Sequence, residues 1–187
     1  MPSWSRVATR SRVPLGFVFA AAYLWFARPT WASLSAGFAI AAVGILVRAL
    51  ASGHIRKNAE LATTGPYAYT RNPLYLGSIV IALGFIMAAR NLWIGVAAIA
   101  MFAFIYLPVI GAEEKYLRSA FPGYDAYAGQ VPRFLPRLTP YRPGPAADDE
   151  ASGGFSSALY LRHREYNAAV GSVLMLGALV LKMLVKH

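Results

Sequence analysis

The chain has 187 residues, of which 57% are hydrophobic and only 14% charged, and its mean hydropathy of +0.46 excludes an ordinary soluble domain. The absence of cysteine excludes a disulfide framework, a thiolate nucleophile and a cysteine metal site. The net charge of +10 sits beside apolar runs rather than on a soluble basic face, which points to anionic membrane lipids as partners and away from nucleic acid.

In chain order, uncharged apolar runs cover residues 13–27, 29–47, 73–89, 91–112 and 166–181. A span needs about 20 residues, so the first and last runs require extension by snorkelling Arg12, Arg28, Lys182 or Lys186. Arg6, Arg10 and Arg12 ahead of a short apolar core also fit a signal peptide, but Arg28-Pro29 is a poor cleavage context and a second run follows at once. The pattern predicts an all-α integral membrane protein with about five transmembrane helices. Residues 1–142 form its core of four spans and an interfacial segment, residues 143–158 an acidic linker, and residues 159–187 a basic amphipathic segment with the last span.

Charge sets the orientation. With the N-terminus inside, the inner face receives Arg6, Arg10, Arg12, Arg48, Arg56, Lys57, Arg71, Lys115, Arg118, Arg133, Arg137, Arg142, Arg162 and Arg164 of the 18 basic residues, and all 8 acidic ones. The positive-inside rule then puts any polar active site on the cytoplasmic side of the membrane. Arg90-Asn91 is the whole connection between the third and fourth runs, which predicts a tight antiparallel hairpin whose inner ends bring Arg71–Tyr75 near Glu113 and Glu114. Gly77 and Gly84, seven apart on the third run, suit close helix packing within the chain or in an oligomer.

The chemistry-bearing residues gather at those inner ends. Asn72 before Pro73 reads as an N-cap followed by a proline in the first turn, and a helix start attracts an anion. Arg71 adds a full positive charge able to hold a carboxylate or phosphate, or simply to snorkel to headgroups. Glu113 and Glu114 close the longest apolar run and need a positive partner, which Arg71, Lys115, Arg118 or a cationic ligand can supply. An interfacial salt bridge is the plainer reading of the pair. Tyr67, Tyr69, Tyr75, Tyr124 and Tyr127 can stack on a ring or surround a cation, although tyrosine is common at membrane interfaces anyway. Tyr75 stands out, one turn along from Arg71 on the same face. His54 is the histidine nearest this loop; three scattered histidines without cysteine suggest no metal site.

These residues carry a resemblance. Gly65-Pro66-Tyr67, then Arg71-Asn72-Pro73-Leu74-Tyr75-Leu76-Gly77, then Glu113-Glu114 with Leu117, Phe121, Gly123, Tyr124, Tyr127, Val131-Pro132 and Pro136, resemble the isoprenylcysteine carboxyl methyltransferases, which group with the phospholipid methyltransferases. The likeness covers about residues 48–138. It implies a membrane methyltransferase that takes S-adenosylmethionine from the cytoplasm and a lipophilic or amphipathic acceptor from the bilayer. By position it implies cofactor binding by Leu61, Tyr67, Asn72, Pro73, Tyr75 and Glu113, and roles nearest the reaction for Arg71, Glu113, Glu114 and Arg118. The family usually has histidine where this chain has Asn72, a departure shared by bacterial-looking members.

Methyl transfer from a sulfonium needs in-line approach and a dry pocket more than strong acid or base catalysis. A carboxylate acceptor needs only orientation by Arg71 or Arg118, whereas an amine acceptor wants a glutamate base. The residues leave both open. Two other readings also stand on the sequence: an NADPH-dependent sterol-type membrane reductase, and a lipid-binding membrane protein without catalysis. The segment 159–167 either lines the acceptor's route or serves as a plain anchor.

Overall fold

A computed structural model describes residues 4–56, 60–142 and 154–185, with side chains from residue 14 onward. Most of the predicted acidic linker, together with Lys57 and Lys186, lies outside the described residues. The elements are α1 (Trp4–Phe26), α2 (Trp31–Ser52), α3 (Pro73–Ala89), α4 (Leu92–Met101), α5 (Leu107–Ala120), α6 (Tyr124–Gln130), α7 (Ser157–Arg162) and α8 (Tyr166–Val185). No strand occurs among the described residues.

Local signals set the boundaries. Thr30 and Ser33 form a reciprocal capping box at the start of α2, with Ser33 N–H donating to Thr30 Oγ1 at 3.2 Å and Thr30 N–H to Ser33 Oγ at 2.9 Å. Asn91 caps α4 by accepting from Trp93 N–H at 2.9 Å. Between α4 and α5 the helix widens into a π turn over Phe102–Tyr106, where Leu107 N–H bonds to Phe102 O. Pro108 follows at once; it has no N–H, and its ring crowds the carbonyl of residue 104, which is reason enough for the local irregularity.

Among the described residues three helices are long and apolar enough to cross a membrane: α2, the continuous Leu92–Ala120 and α8. The apolar helices Pro73–Ala89 and Pro14–Phe26 are shorter. At 17 residues α3 reaches about 26 Å against a hydrocarbon core of about 30 Å, so length alone does not establish the count of five.

The two-residue turn joins α3 to α4, and the two helices touch, but α3 packs far more extensively against α2. Four glycines explain this. A Cβ on Gly37 would sit 2.4 Å from Gly84 O, and one on Gly44 2.6 Å from Gly77 O. The reverse pairs are equally tight, at 2.5 Å from Gly84 to Gly37 O and 2.8 Å from Gly77 to Gly44 O. The two antiparallel backbones are therefore in near contact, which only residues without side chains permit. Gly77 and Gly84 find their partner within the chain.

At one end, Tyr23, Ala27, Leu34, Ala88, Ala89, Ile94 and Leu179 form a core. Lys182 does not snorkel to solvent to lengthen α8, as the sequence suggested. Its ammonium donates to the carbonyls of Leu24, Trp25 and Ala27 at 2.6, 2.9 and 2.7 Å, satisfying the open C-terminal end of α1. Trp25, Trp31 and Trp93 stand exposed around this end, as an aromatic girdle would. The opposite end holds the C-terminus of α2, the N-termini of α3 and α8, and the C-terminus of α5.

Candidate functional site

The loop from α2 to α3 is shaped by Gly65, whose φ of +56° is left-handed and whose missing Cβ makes room for the His54 ring, 2.5 Å from where it would lie. His54 Nδ1 sits 2.8 Å from Leu50 O, so this histidine packs and ties the loop. A 3-10 turn over Gly65–Ala68 follows and buries Tyr67.

Residues 131–141 strap this loop down. Arg71 N–H donates to Pro132 O at 2.9 Å, Arg137 N–H to Tyr69 O at 3.0 Å and Tyr141 N–H to Ala68 O at 2.8 Å. Below the strap, Tyr124, Tyr127 and Val131 form a second buried cluster, against which Leu61, Leu117 and Phe121 pack. Tyr127 Oη donates to Tyr67 O at 2.7 Å. Tyr127→Phe should therefore leave a buried carbonyl without its donor and cost about 1–2 kcal/mol, read as a lowered thermal midpoint in detergent. An unchanged midpoint would show that the bond contributes nothing.

Glu114 is the electrostatic centre of the loop. Both oxygens of its buried carboxylate accept from Arg133, with Nε at 3.0 Å. Asn72 Nδ2 donates to the same carboxylate at 3.3 Å, and Arg71 Nη1 lies 3.6 Å away. The predicted meeting of the helix start with the glutamate pair thus occurs. Asn72 stands at the N-cap of α3 as expected, but its side chain does not cap the helix; its amide is spent on Glu114 and on Arg133 O at 3.2 Å. Arg71 is only partly satisfied. Nη1 reaches Tyr124 Oη at 3.4 Å, while Nε is buried without a hydrogen-bond partner.

A cavity of about 690 Å³ opens here, lined by Leu61, Tyr67, Arg71, Asn72, Pro73, Tyr75 and Glu113 among others. Seven of the eight residues singled out from the sequence as cofactor-binding or nearest the reaction, apart from Glu114, therefore share one wall with only Arg118 missing. Glu114 lies behind that wall, bound to Arg133. Arg118 is turned away: it pairs with Asp125 at 2.6 Å on the surface, with its guanidinium 5.8 Å from the Tyr124 ring centre. An exposed carboxylate one helical turn from the chain reversal wins it.

Sequence reasoning missed Arg133 as the main partner of Glu114, and it treated Arg48 only as an inner-face charge. Arg48 and Glu165 also line the cavity. Tyr106, in the π turn, meets Tyr75 edge-on at 6.1 Å and stacks on Phe102 at 5.8 Å. Burial pushes the Tyr67, Tyr124 and Tyr127 phenols up, so all three stay neutral at physiological pH and none serves as a base; Tyr127 donates to Tyr67 O, whereas Tyr124 Oη accepts from Arg71. The hydrogen bond to Glu114 pushes Arg133 up, which fixes it as a cation.

Apolar helices around an end cavity walled by an arginine, a carboxylate and aromatic rings fit an integral membrane protein with a polar cavity at one end. The chain belongs to the phospholipid methyltransferase family, whose pattern matches residues 17–123. It is 41% identical over 107 residues to the cobalt-zinc-cadmium resistance protein CzcN of Cupriavidus metallidurans. It is 39% identical over 107 residues to the nickel-cobalt-cadmium resistance protein NccN of Alcaligenes xylosoxydans xylosoxydans. Each match takes in 57% of this chain and 49% of the relative, so the matched part spans about half the length of these curated relatives. No solved structure matches the chain.

Proposed function

We propose that this protein transfers a methyl group from S-adenosylmethionine to a lipophilic or amphipathic acceptor, isoprenylcysteine carboxylate-like or a lipid headgroup, at the cytoplasmic face of the inner membrane. The observation that carries this reading is Arg71: a guanidinium in the cavity wall with a buried, unpartnered Nε, one residue before the Asn72 cap of α3. A ligand carboxylate is the group that completes it. The cavity, at about 690 Å³, falls within the usual range of about 300–1,000 Å³ for small-molecule sites. The donor set fits a zwitterion with an aromatic base: Arg71 and the helix start for the carboxylate, Glu113 for the ammonium, and the Tyr75 and Tyr106 rings for stacking.

Bound S-adenosylmethionine would supply a methyl group already activated on a sulfonium. The chain's own work is to align and to exclude water. The Glu114–Arg133 pair holds Arg71 and Asn72 in place from behind, and the strap fixes the loop that carries Tyr67. A carboxylate acceptor needs no proton removed. For an amine acceptor, Glu113 is a carboxylate within the cavity wall that can take the proton. Arg48, Arg71, Arg133 and Arg137 at the cavity end support the cytoplasmic placement, with Arg28, Arg90 and Lys182 at the other. The relatives' names concern metal resistance. A methylated membrane component is the product proposed for this chain, by its family.

Calorimetric titration of the detergent-purified protein with S-adenosylmethionine, S-adenosylhomocysteine and NADPH tests this. Saturable binding of both adenosyl ligands, weakened at least tenfold in Glu113→Gln by loss of about 1.4 kcal/mol, is expected. Binding of NADPH alone would move the protein to the reductases. Folded protein that binds none of the three would overturn the reading.

A further inference from the structure

A second cavity, of about 350 Å³, lies among α1, α3, α4 and α8, with Phe19, Ile81, Phe85, Ala98 and Met175 in its apolar wall. Arg48 and Ser78 line both this groove and the polar cavity, so the two spaces meet at these side chains. Arg48 is the one charged side chain among the described residues lining the groove. Glu165 Oε2 accepts from Arg48 Nε at 3.0 Å and from Nη2 at 2.5 Å, while Nη1 donates to Ser78 Oγ and Leu74 O at 2.5 and 3.2 Å.

Glu165 reaches this place through a separate arm of the chain. The Phe155 ring occupies the space left by Gly53, 2.3 Å from where a Cβ would lie. Ser156 N–H donates to Gly53 O at 2.9 Å, and His163 Nδ1 lies 3.2 Å from Ser52 O. Arg164, with φ of +53°, then turns the chain from α7 into α8. The arm lies beyond residues 17–123, where the family pattern matches.

A guanidinium at the head of an apolar groove inside a membrane protein must have an anionic partner, and here that partner is a carboxylate carried on a separate arm of the chain. We infer that Arg48 is the head-group site for a single-chain amphiphile with a carboxylate or phosphate head, its tail lying in the apolar groove, and that Glu165 fills this site until such a head displaces it. The identity of that amphiphile with the methyl acceptor rests on the function proposed above; the binding site does not. Ser78 gives the head a second hydrogen bond. From there the head faces the polar cavity directly.

The chain has no cysteine, so a single reporter thiol is unambiguous. Gly171 lines the groove, and nothing lies within 4 Å of a Cβ built there, so Gly171→Cys fits. In phosphatidylcholine nanodiscs, oleate should slow alkylation of this thiol by N-ethylmaleimide saturably, whereas oleylamine should not. Glu165→Gln removes the internal competitor and should lower the half-protecting oleate concentration about tenfold, the scale of one charge-assisted hydrogen bond. Arg48→Gln should abolish protection. Equal protection by the two amphiphiles, or an unchanged half-protecting concentration in Glu165→Gln, would overturn the inference, and neither arm depends on Arg48→Gln folding. Protection by oleate without adenosyl-ligand binding would sink only the methyl-transfer reading; adenosyl binding with equal protection would sink only this one.

Discussion

Gly37→Ala is expected to pry α2 from α3 and to leave little folded protein in detergent. The added methyl would lie 2.4 Å from Gly84 O, 2.8 Å from the Ala88 side chain and 3.0 Å from Ala88 N. The nearest of these is backbone and cannot rotate aside, so the helices must separate. Overpacking usually costs about 1–3 kcal/mol, and a rigid neighbour puts this case at the upper end or beyond. Gly177→Ala on α8 is the control, since nothing lies within 4 Å of its Cβ position. The measurement is the thermal midpoint, with the monodisperse fraction on size exclusion. A Gly37→Ala midpoint equal to that of the control would mean that the two backbones are not in contact. Because α2 carries Arg48 and α3 carries the helix start behind Arg71, the same change should remove ligand binding with the fold.

The two adjacent glutamates should part company under the same conservative substitution. Glu114→Gln leaves Arg133 and Arg71 facing a neutral amide. Breaking a buried pair by removing one partner costs about 3–5 kcal/mol, and the 41% exposure of Arg133 against 12% for Glu114 argues for the low end. The variant should melt earlier and bind adenosyl ligands poorly, because the loop loses the anion that organises it. Glu113→Gln, on the exposed cavity side, should keep its midpoint and lose affinity alone. Paired melts and titrations separate the two. Equal midpoints for both variants would show that Glu114 does not organise the loop.

Much of this was legible in the chain itself. Apolar runs found every long helix, because membrane-length apolarity needs no tertiary information. The helix start at Pro73 was legible for the same reason, being fixed by residues that touch it in sequence. What the sequence hid depends on distance along the chain. Arg133 lies 19 residues from Glu114 on a proline-bounded strap with no periodicity to betray its direction. Arg48 and Glu165 are 117 residues apart, and no local pattern joins them. The extent of lateral packing was not legible either. A two-residue turn made α4 a neighbour of α3, yet backbone approach through Gly37, Gly44, Gly77 and Gly84 made α2 the more extensive one.

The π turn before Pro108 fixes the azimuth of everything that follows it. Each residue of a regular helix advances about 100° around the axis, so a widened turn that absorbs one extra residue cancels one such step. Had Phe102–Tyr106 run as ordinary helix, Glu114 would have swung by about that angle, away from Asn72 and Arg71. The facing of the glutamate pair is thus decided about two helical turns upstream. Excising one residue from the widened turn is the shortest route to a regular helix that still presents Glu114 to its partners, whereas an excision after Tyr106 would keep the bulge and dial the carboxylate out of register.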